Sequence, residues 1–143
     1  MPGRRFPTSN FADRLSRCKF PTMYLATSSQ VKNLLYLSFI EHVTVDELER
    51  GIPDVTALLS ALPAGCRVFV DFGRLDSMDL DCAGPIGKVM EMCDQKLVAL
   101  VVRLVPDPSK NIGLNILTLF HYHHRLTFVT CETMADAARA LGL

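Results

Sequence analysis

The sequence contains no uninterrupted apolar run of the roughly 18 residues that a membrane-spanning helix needs, so a transmembrane helix is not expected. It has five cysteines (Cys18, Cys66, Cys82, Cys93 and Cys131) and no C-x-x-C pair. That excludes zinc ribbons and thioredoxin-type dithiol chemistry, and an odd, sparse set does not suit a secreted disulfide scaffold. Free and mostly buried thiols in a reducing cytoplasm are expected instead. Charge of one sign is not in excess either: fifteen Lys and Arg balance fifteen Asp and Glu, so no nucleic-acid surface is implied by the total. There is no G-x-S-x-G elbow, no Walker loop and no G-x-G-x-x-G fingerprint. On these grounds the chain reads as a non-enzyme, with no cofactor and no metal expected.

What is present fits one α/β domain. The chain has 143 residues, of which 49% are apolar, enough for a single core and too apolar for a disordered chain. Residues 1–22 stand apart. Arg4, Arg5, Arg14, Arg17 and Lys19 face only Asp13, a net +4 that leaves −4 for the remainder. With Pro2, Gly3 and Pro7 this stretch is expected to be a loosely ordered basic tail, although its Arg, Ser and Phe content also resembles an organellar presequence. The folded domain is expected over residues 23–143.

From Met23 onward, β-rich runs alternate with helical periods. Met23 to Thr27 and Leu34 to Glu41 read as a hairpin. Thr44 and Glu47 have capping-box spacing, and Val45, Leu48, Ile52, Val55, Leu59 and Leu62 follow on one helical face; Gly51 and Pro53 predict a kink or a break. Arg67 to Phe72 reads as a strand, Gly73 to Leu80 as a loop, and Pro85 to Cys93 as a helix. Leu97 to Leu104 is nearly continuous apolar sequence, the pattern of a strand buried on both faces. Asn111 to Tyr122 reads as a third crossover helix and Leu126 to Cys131 as the last strand. Thr133 caps a final helix that ends near Gly142. The order is β-β-α-β-α-β-α-β-α: a mixed sheet of about five strands with four crossover or terminal helices.

Sites in such sheets lie beyond the carboxyl ends of the strands. The segment from Gly73 to Gly84 falls there and carries Asp76, Asp79 and Asp81 close to a helix start. These carboxylates suit a cation, but an EF-hand pattern is missing, and Asp79 or Asp81 capping the helix is the preferred reading. Cys82 sits where a helix start would stabilise a thiolate, yet no His or Lys is paired with it in sequence. Asp71 and Lys110 are too generic a pair for a receiver-type phosphoacceptor site. His121, His123 and His124 form an H-x-H-H cluster; no Cys or carboxylate nearby completes a metal set, so it reads as a polar helix end.

The element order, the strand R-V-F-V-D-F followed by Met78-Asp79, and the ending T-F-V-T-C-E-T-M-A-D-A-A-R-A-L together resemble the STAS domains. That family includes the bacterial anti-sigma-factor antagonists, and the resemblance runs from about Leu34 to Leu141. In partner-switching members the aliphatic-Asp pair precedes Ser-Ser-Gly or Ser-Thr-Gly, whose first hydroxyl is phosphorylated by a partner kinase. Here Leu80, Asp81 and Cys82 follow Asp79, Gly84 comes two residues late, and Ser77 lies before the aspartate. The resemblance therefore implies a cytoplasmic bacterial signalling module without the phosphoacceptor serine. It would contact a protein partner, anti-sigma-like or kinase-like, through Asp76, Asp79, Leu80, Asp81, Cys82, Gly84 and Lys88. The alternative comes from lipid-carrying domains classed near this family: an apolar ligand held between helices and sheet, with Leu117 and Phe120 as contacts.

Overall fold

A computed structural model of the chain describes residues 24–110, 118, 121–122 and 126–143. Five strands form one sheet in the order β1-β2-β3-β4-β5. They are β1 (Tyr24–Ser29), β2 (Leu34–Val43), β3 (Arg67–Met78), β4 (Leu100–Leu104) and β5 (Thr127–Cys131). β1 runs antiparallel to β2, as the hairpin pattern predicts, with Asn33 taking a left-handed turn conformation (φ 51°). The other neighbours are parallel. Helices α1 (Val45–Ser60), α2 (Ala83–Gln95) and α3 (Met134–Leu141) and two short 3-10 turns, Leu80–Cys82 and Pro108–Lys110, complete the described elements. The sequence reading expects four helices. Its third crossover helix, over 111–122, lies mostly outside the described residues, of which Thr118 and His121 are helical.

Each parallel step moves the same way across the sheet, so right-handed crossovers place the connecting helices on one face. The core has that layout. Leu35, Leu37, Phe39, Val68, Phe72 and Val101 pack with Leu48, Val55 and Leu59 of α1 and Cys93 of α2. On the opposite face Phe69, Val102, Leu104 and Cys131 pack with Ala137 and Leu141 of α3. Val101 and Val102 belong to different faces and both are buried, as the continuous apolar run of β4 predicts. Across β1, β2 and β3, Tyr24 lies against Phe39 and Phe39 stacks on Phe72, with ring centroids 5.1 and 5.2 Å apart. Arg67 ties the two ends of the fold together, donating to the Leu141 and Lys32 carbonyls.

Two expectations are corrected. First, α1 is one helix through Pro53 and not two short ones, the proline's missing N–H removing one helical bond. The proline costs about 3 kcal/mol, while burial of Leu48, Val55 and Leu59 contributes about 1.5–3 kcal/mol each. Gly51 is there for Tyr24: an added Cβ would overlap the ring, lying 2.9 Å from Cδ1. Second, β3 does not stop at Phe72 but runs on to Met78 against the end of β2. Two bulges absorb the residues that read as loop: Ser38 pairs with Asp71 but Ile40 with Arg74, and Glu41 pairs with Leu75 but His42 with Ser77. The predicted caps of α1 and α3 hold. Thr44 Oγ1 accepts from the Glu47 amide at 3.3 Å, Thr133 Oγ1 from the Asp136 amide at 3.1 Å, and Gly142 ends α3 in the left-handed region (φ 73°).

Candidate functional site at the carboxyl end of β3

β3 outruns β4, whose last pairing is Leu104 with Asp71, so the far end of β3 stands beside β2 alone. Past Met78 the chain is anchored to β2 at one carbonyl. Val43 accepts from the Asp79 amide at 3.1 Å, and the Cys82 thiol points at the same oxygen at 3.6 Å. Between these anchors lies a single 3-10 turn, Leu80–Cys82, closed by the Cys82 amide donating to the Asp79 carbonyl at 3.0 Å. With Cys82 fixed inward and Asp79 held at the side, the turn sends Leu80 out: it is 95% exposed. Asp76, Asp81, Gly84 and Lys88 are also exposed around it.

Neither Asp79 nor Asp81 caps a helix here, contrary to the sequence reading, because no side-chain cap bond is made at the 3-10 turn or at α2. Asp79 instead pairs with His42, its Oδ1 3.0 Å from Nε2, and His42 Nδ1 lies 2.6 Å from Ser77 Oγ. Cys82 belongs to the core rather than the surface. Burial, followed by the charge of Asp79, pushes its thiol up, the reverse of a stabilised thiolate. A Cβ added at Gly84 would meet nothing within 4 Å, so this fold does not require glycine there.

Beside the turn, a groove of about 970 Å³ runs between β1 and α1. Tyr24, Leu25 and Leu58 supply apolar wall, and Asp46, Glu47, Asp54 and Asp79 outnumber Arg50. Sequence reasoning missed this groove, although Asp46, Glu47, Arg50 and Asp54 fall on one helical face and carried the signal. A second cleft, between the sheet and α1 and α2, holds about 50 Å³. Leu37, Phe39, Val70 and Met90 line it together with Arg103 and Tyr122. Arg103, hidden in the apolar run of β4, donates to Thr118 Oγ1 at 3.3 Å and lies 4.8 Å from the Phe128 ring centroid. Burial lowers its pKa. Leu117 and Phe120, the expected ligand contacts, lie outside the described residues. The cleft is small beside the roughly 300–1,000 Å³ of ordinary ligand pockets.

The remaining candidates fall into structural roles. Asp71 is buried, accepting from the Tyr36 hydroxyl at 3.1 Å and the Gly73 amide at 2.7 Å. His121 pairs with Glu91 at 3.0 Å, and a Cβ at Gly87 would come within 2.5 Å of its Nε2. His123 and His124 lie outside the described residues, among which no His, Cys, Asp and Glu group suits a metal ion. Cys66, Cys82, Cys93 and Cys131 are free and buried, while Cys18 lies outside the described residues. Among the described residues no helix is long and apolar enough to cross a membrane.

Comparison with solved structures decides the fold. An uncharacterised DUF3478-family protein from Shewanella loihica PV-4, with a SpoIIAA-like fold, superposes at a TM-score of 0.63 and 18% identity, covering 82% of this chain and 91% of that one. The anti-sigma factor antagonist SpoIIAA in its unphosphorylated form gives 0.58 and 14%, covering 84% and 99%. This chain has the SpoIIAA-like fold. An anti-sigma factor antagonist from Mycobacterium paratuberculosis agrees, at 0.55 and 13% over 86% and 97%. No family model and no curated protein matches the sequence. In this SpoIIAA-like sheet the turn carrying Leu80 occupies the carboxyl end of β3.

Proposed function

We propose that the chain is a non-enzymatic regulatory module that docks a protein partner through the Asp76–Lys88 surface in a bacterial cytoplasm. One observation carries the reading. Leu80 is almost wholly exposed on a turn fixed at both ends, among Asp76, Asp79 and Asp81. A leucine held in water by a rigid turn gains about 1.5–3 kcal/mol when a partner covers it. The carboxylates around it, continued by the acidic wall of the groove through Asp79, favour a partner whose apolar pocket is rimmed by Lys and Arg. The structural likeness to two anti-sigma factor antagonists supports a partner of the anti-sigma or kinase-like class. No hydroxyl stands directly after Asp79, so we read the docking as constitutive rather than switched at that position.

The test is Leu80→Asp titrated by calorimetry against the partner recovered with the wild-type chain. Affinity should fall at least about tenfold, from the lost burial and the added repulsion, with an unaltered far-UV circular dichroism spectrum. Unchanged affinity would remove this surface from the reading. The carrier alternative rests on the apolar cleft at Phe39 and Met90, which would have to open well beyond its 50 Å³ to admit a lipid. A small apolar adduct on the monomer in native mass spectrometry would favour it.

A further inference from the structure

Ser77, His42 and Asp79 form a hydrogen-bonded relay at the edge of the docking surface. His42 Nε2 lies 3.0 Å from an Asp79 carboxylate oxygen, which can only accept, so Nε2 carries the ring proton. In the neutral ring this leaves the Nδ1 lone pair facing Ser77 Oγ, 2.6 Å away, and the serine hydroxyl donates to it. A hydroxyl pointed at a base, with the base oriented by a carboxylate, is the arrangement that activates serine nucleophiles. The two ring nitrogens are interchanged relative to the hydrolase triad, which leaves the proton chemistry intact.

The backbone is distorted to make this alignment. Without the second bulge, His42 would pair with Asp76; the extra β3 residue brings Ser77 opposite it. Immediately before His42, Glu41 is held at φ 56°, a left-handed conformation that side-chain-bearing residues seldom adopt in a strand. The relay is open to reagents, His42 being 53% and Asp79 41% exposed. Neither the groove nor the cleft is lined by Ser77 or His42, so we read the site as a stoichiometric acceptor and not as a turnover site.

We propose that Ser77 is a stoichiometric acyl-acceptor site. Its Oγ attacks the carbonyl carbon of an activated, uncharged ester while the hydroxyl proton moves to His42 Nδ1. The Oγ–acyl bond forms, the ester C–O bond breaks, and the leaving alkoxide takes the proton from His42 and departs as the alcohol. Asp79 is a positioning residue that stabilises the transient imidazolium. Asp76, Asp79 and Asp81 select against an anionic phosphoryl donor by repulsion, and a neutral carbonyl escapes that penalty. The site stands independently of partner docking.

The experiment treats the full chain with p-nitrophenyl acetate, follows intact mass, and maps the modified residue. One acetyl group should appear on Ser77. Labelling there should vanish in Ser77→Ala and slow at least about tenfold in His42→Gln, as loss of a general base requires. Asp79→Asn should slow labelling while Asp79→Glu restores it, a dependence on the carboxylate that a merely structural role would not show. Acetylation of Ser77 no faster than of other exposed serines, or unaffected by His42→Gln, would overturn the proposal. So would faster phosphorylation of Ser77 by acetyl phosphate than acetylation by the neutral ester.

Discussion

Replacing Gly51 by alanine sets two effects of opposite sign against each other. Gly51 lies inside α1, where alanine is favoured by about 0.8–1.0 kcal/mol through backbone entropy alone. The new methyl would overlap Tyr24 Cε1 and stand 2.9 and 3.2 Å from Cδ1 and Cζ. The ring cannot retreat freely, because Phe39 backs it at 5.1 Å and Phe72 backs Phe39 at 5.2 Å. Overpacking of this kind costs about 1–3 kcal/mol, so Gly51→Ala should lower stability, or at best leave it level. With the ring removed by Tyr24→Val, which suits an edge strand, the same substitution should stabilise by about 0.8–1.0 kcal/mol. Urea unfolding of the four proteins, compared at constant m, gives a coupling energy expected to exceed about 1 kcal/mol. A gain of equal size in both backgrounds would refute the packing argument and place Gly51 in the helix for some other reason.

Two further outcomes follow from the same geometry. The Cys93 thiol is pushed up to about 12 by burial, and burial raises Cys66, Cys82 and Cys131 as well. These thiols ionise more easily once unfolded, so their contribution to stability is complete below the ordinary thiol range of about 8.5. It is then lost as pH rises from there toward about 12; denaturation midpoints between pH 7 and pH 10 should fall, and a thiol reagent should label these four cysteines only on unfolding. Gly84→Ala should leave stability unchanged or raise it by up to about 1 kcal/mol, since a Cβ there meets nothing. If it nevertheless weakens partner binding in a titration, the glycine serves the partner's approach; if binding is untouched, Gly84 falls outside the contact.

Local signals made most of the fold legible. The T-x-x-E box starts α1, Thr133 and Gly142 bracket α3, and the nearly continuous apolar run of β4 is buried on both faces. The misreadings share one cause: a local breaker was outweighed by contacts distant in sequence. Gly73 and Asp76 suggested a loop, yet pairing with β2 carries the strand through them on two bulges. Pro53 suggested a broken helix, yet the buried face of α1 spans it. Asp79 suggested a cap, yet His42, 37 positions earlier, claims its carboxylate. The site was legible only in outline. The rule that sites gather beyond strand ends leads to the Leu80 turn, but no spacing in the sequence brings His42 to Ser77. The family resemblance puts Cys82 among the contacts; its thiol instead turns back onto Val43.

Two residues offer a direct comparison for the central claim. Leu80 and Val31 are equally bare, 95% and 96% exposed, but Val31 lies in the β1–β2 turn at the other end of β2. A photo-crosslinking benzoylphenylalanine placed at each position in turn, in cells producing the chain, reports which end meets a partner. The docking account expects one discrete protein adduct from position 80 that is absent from position 31. Adducts from position 31 alone, or indistinguishable adducts from both, would contradict it.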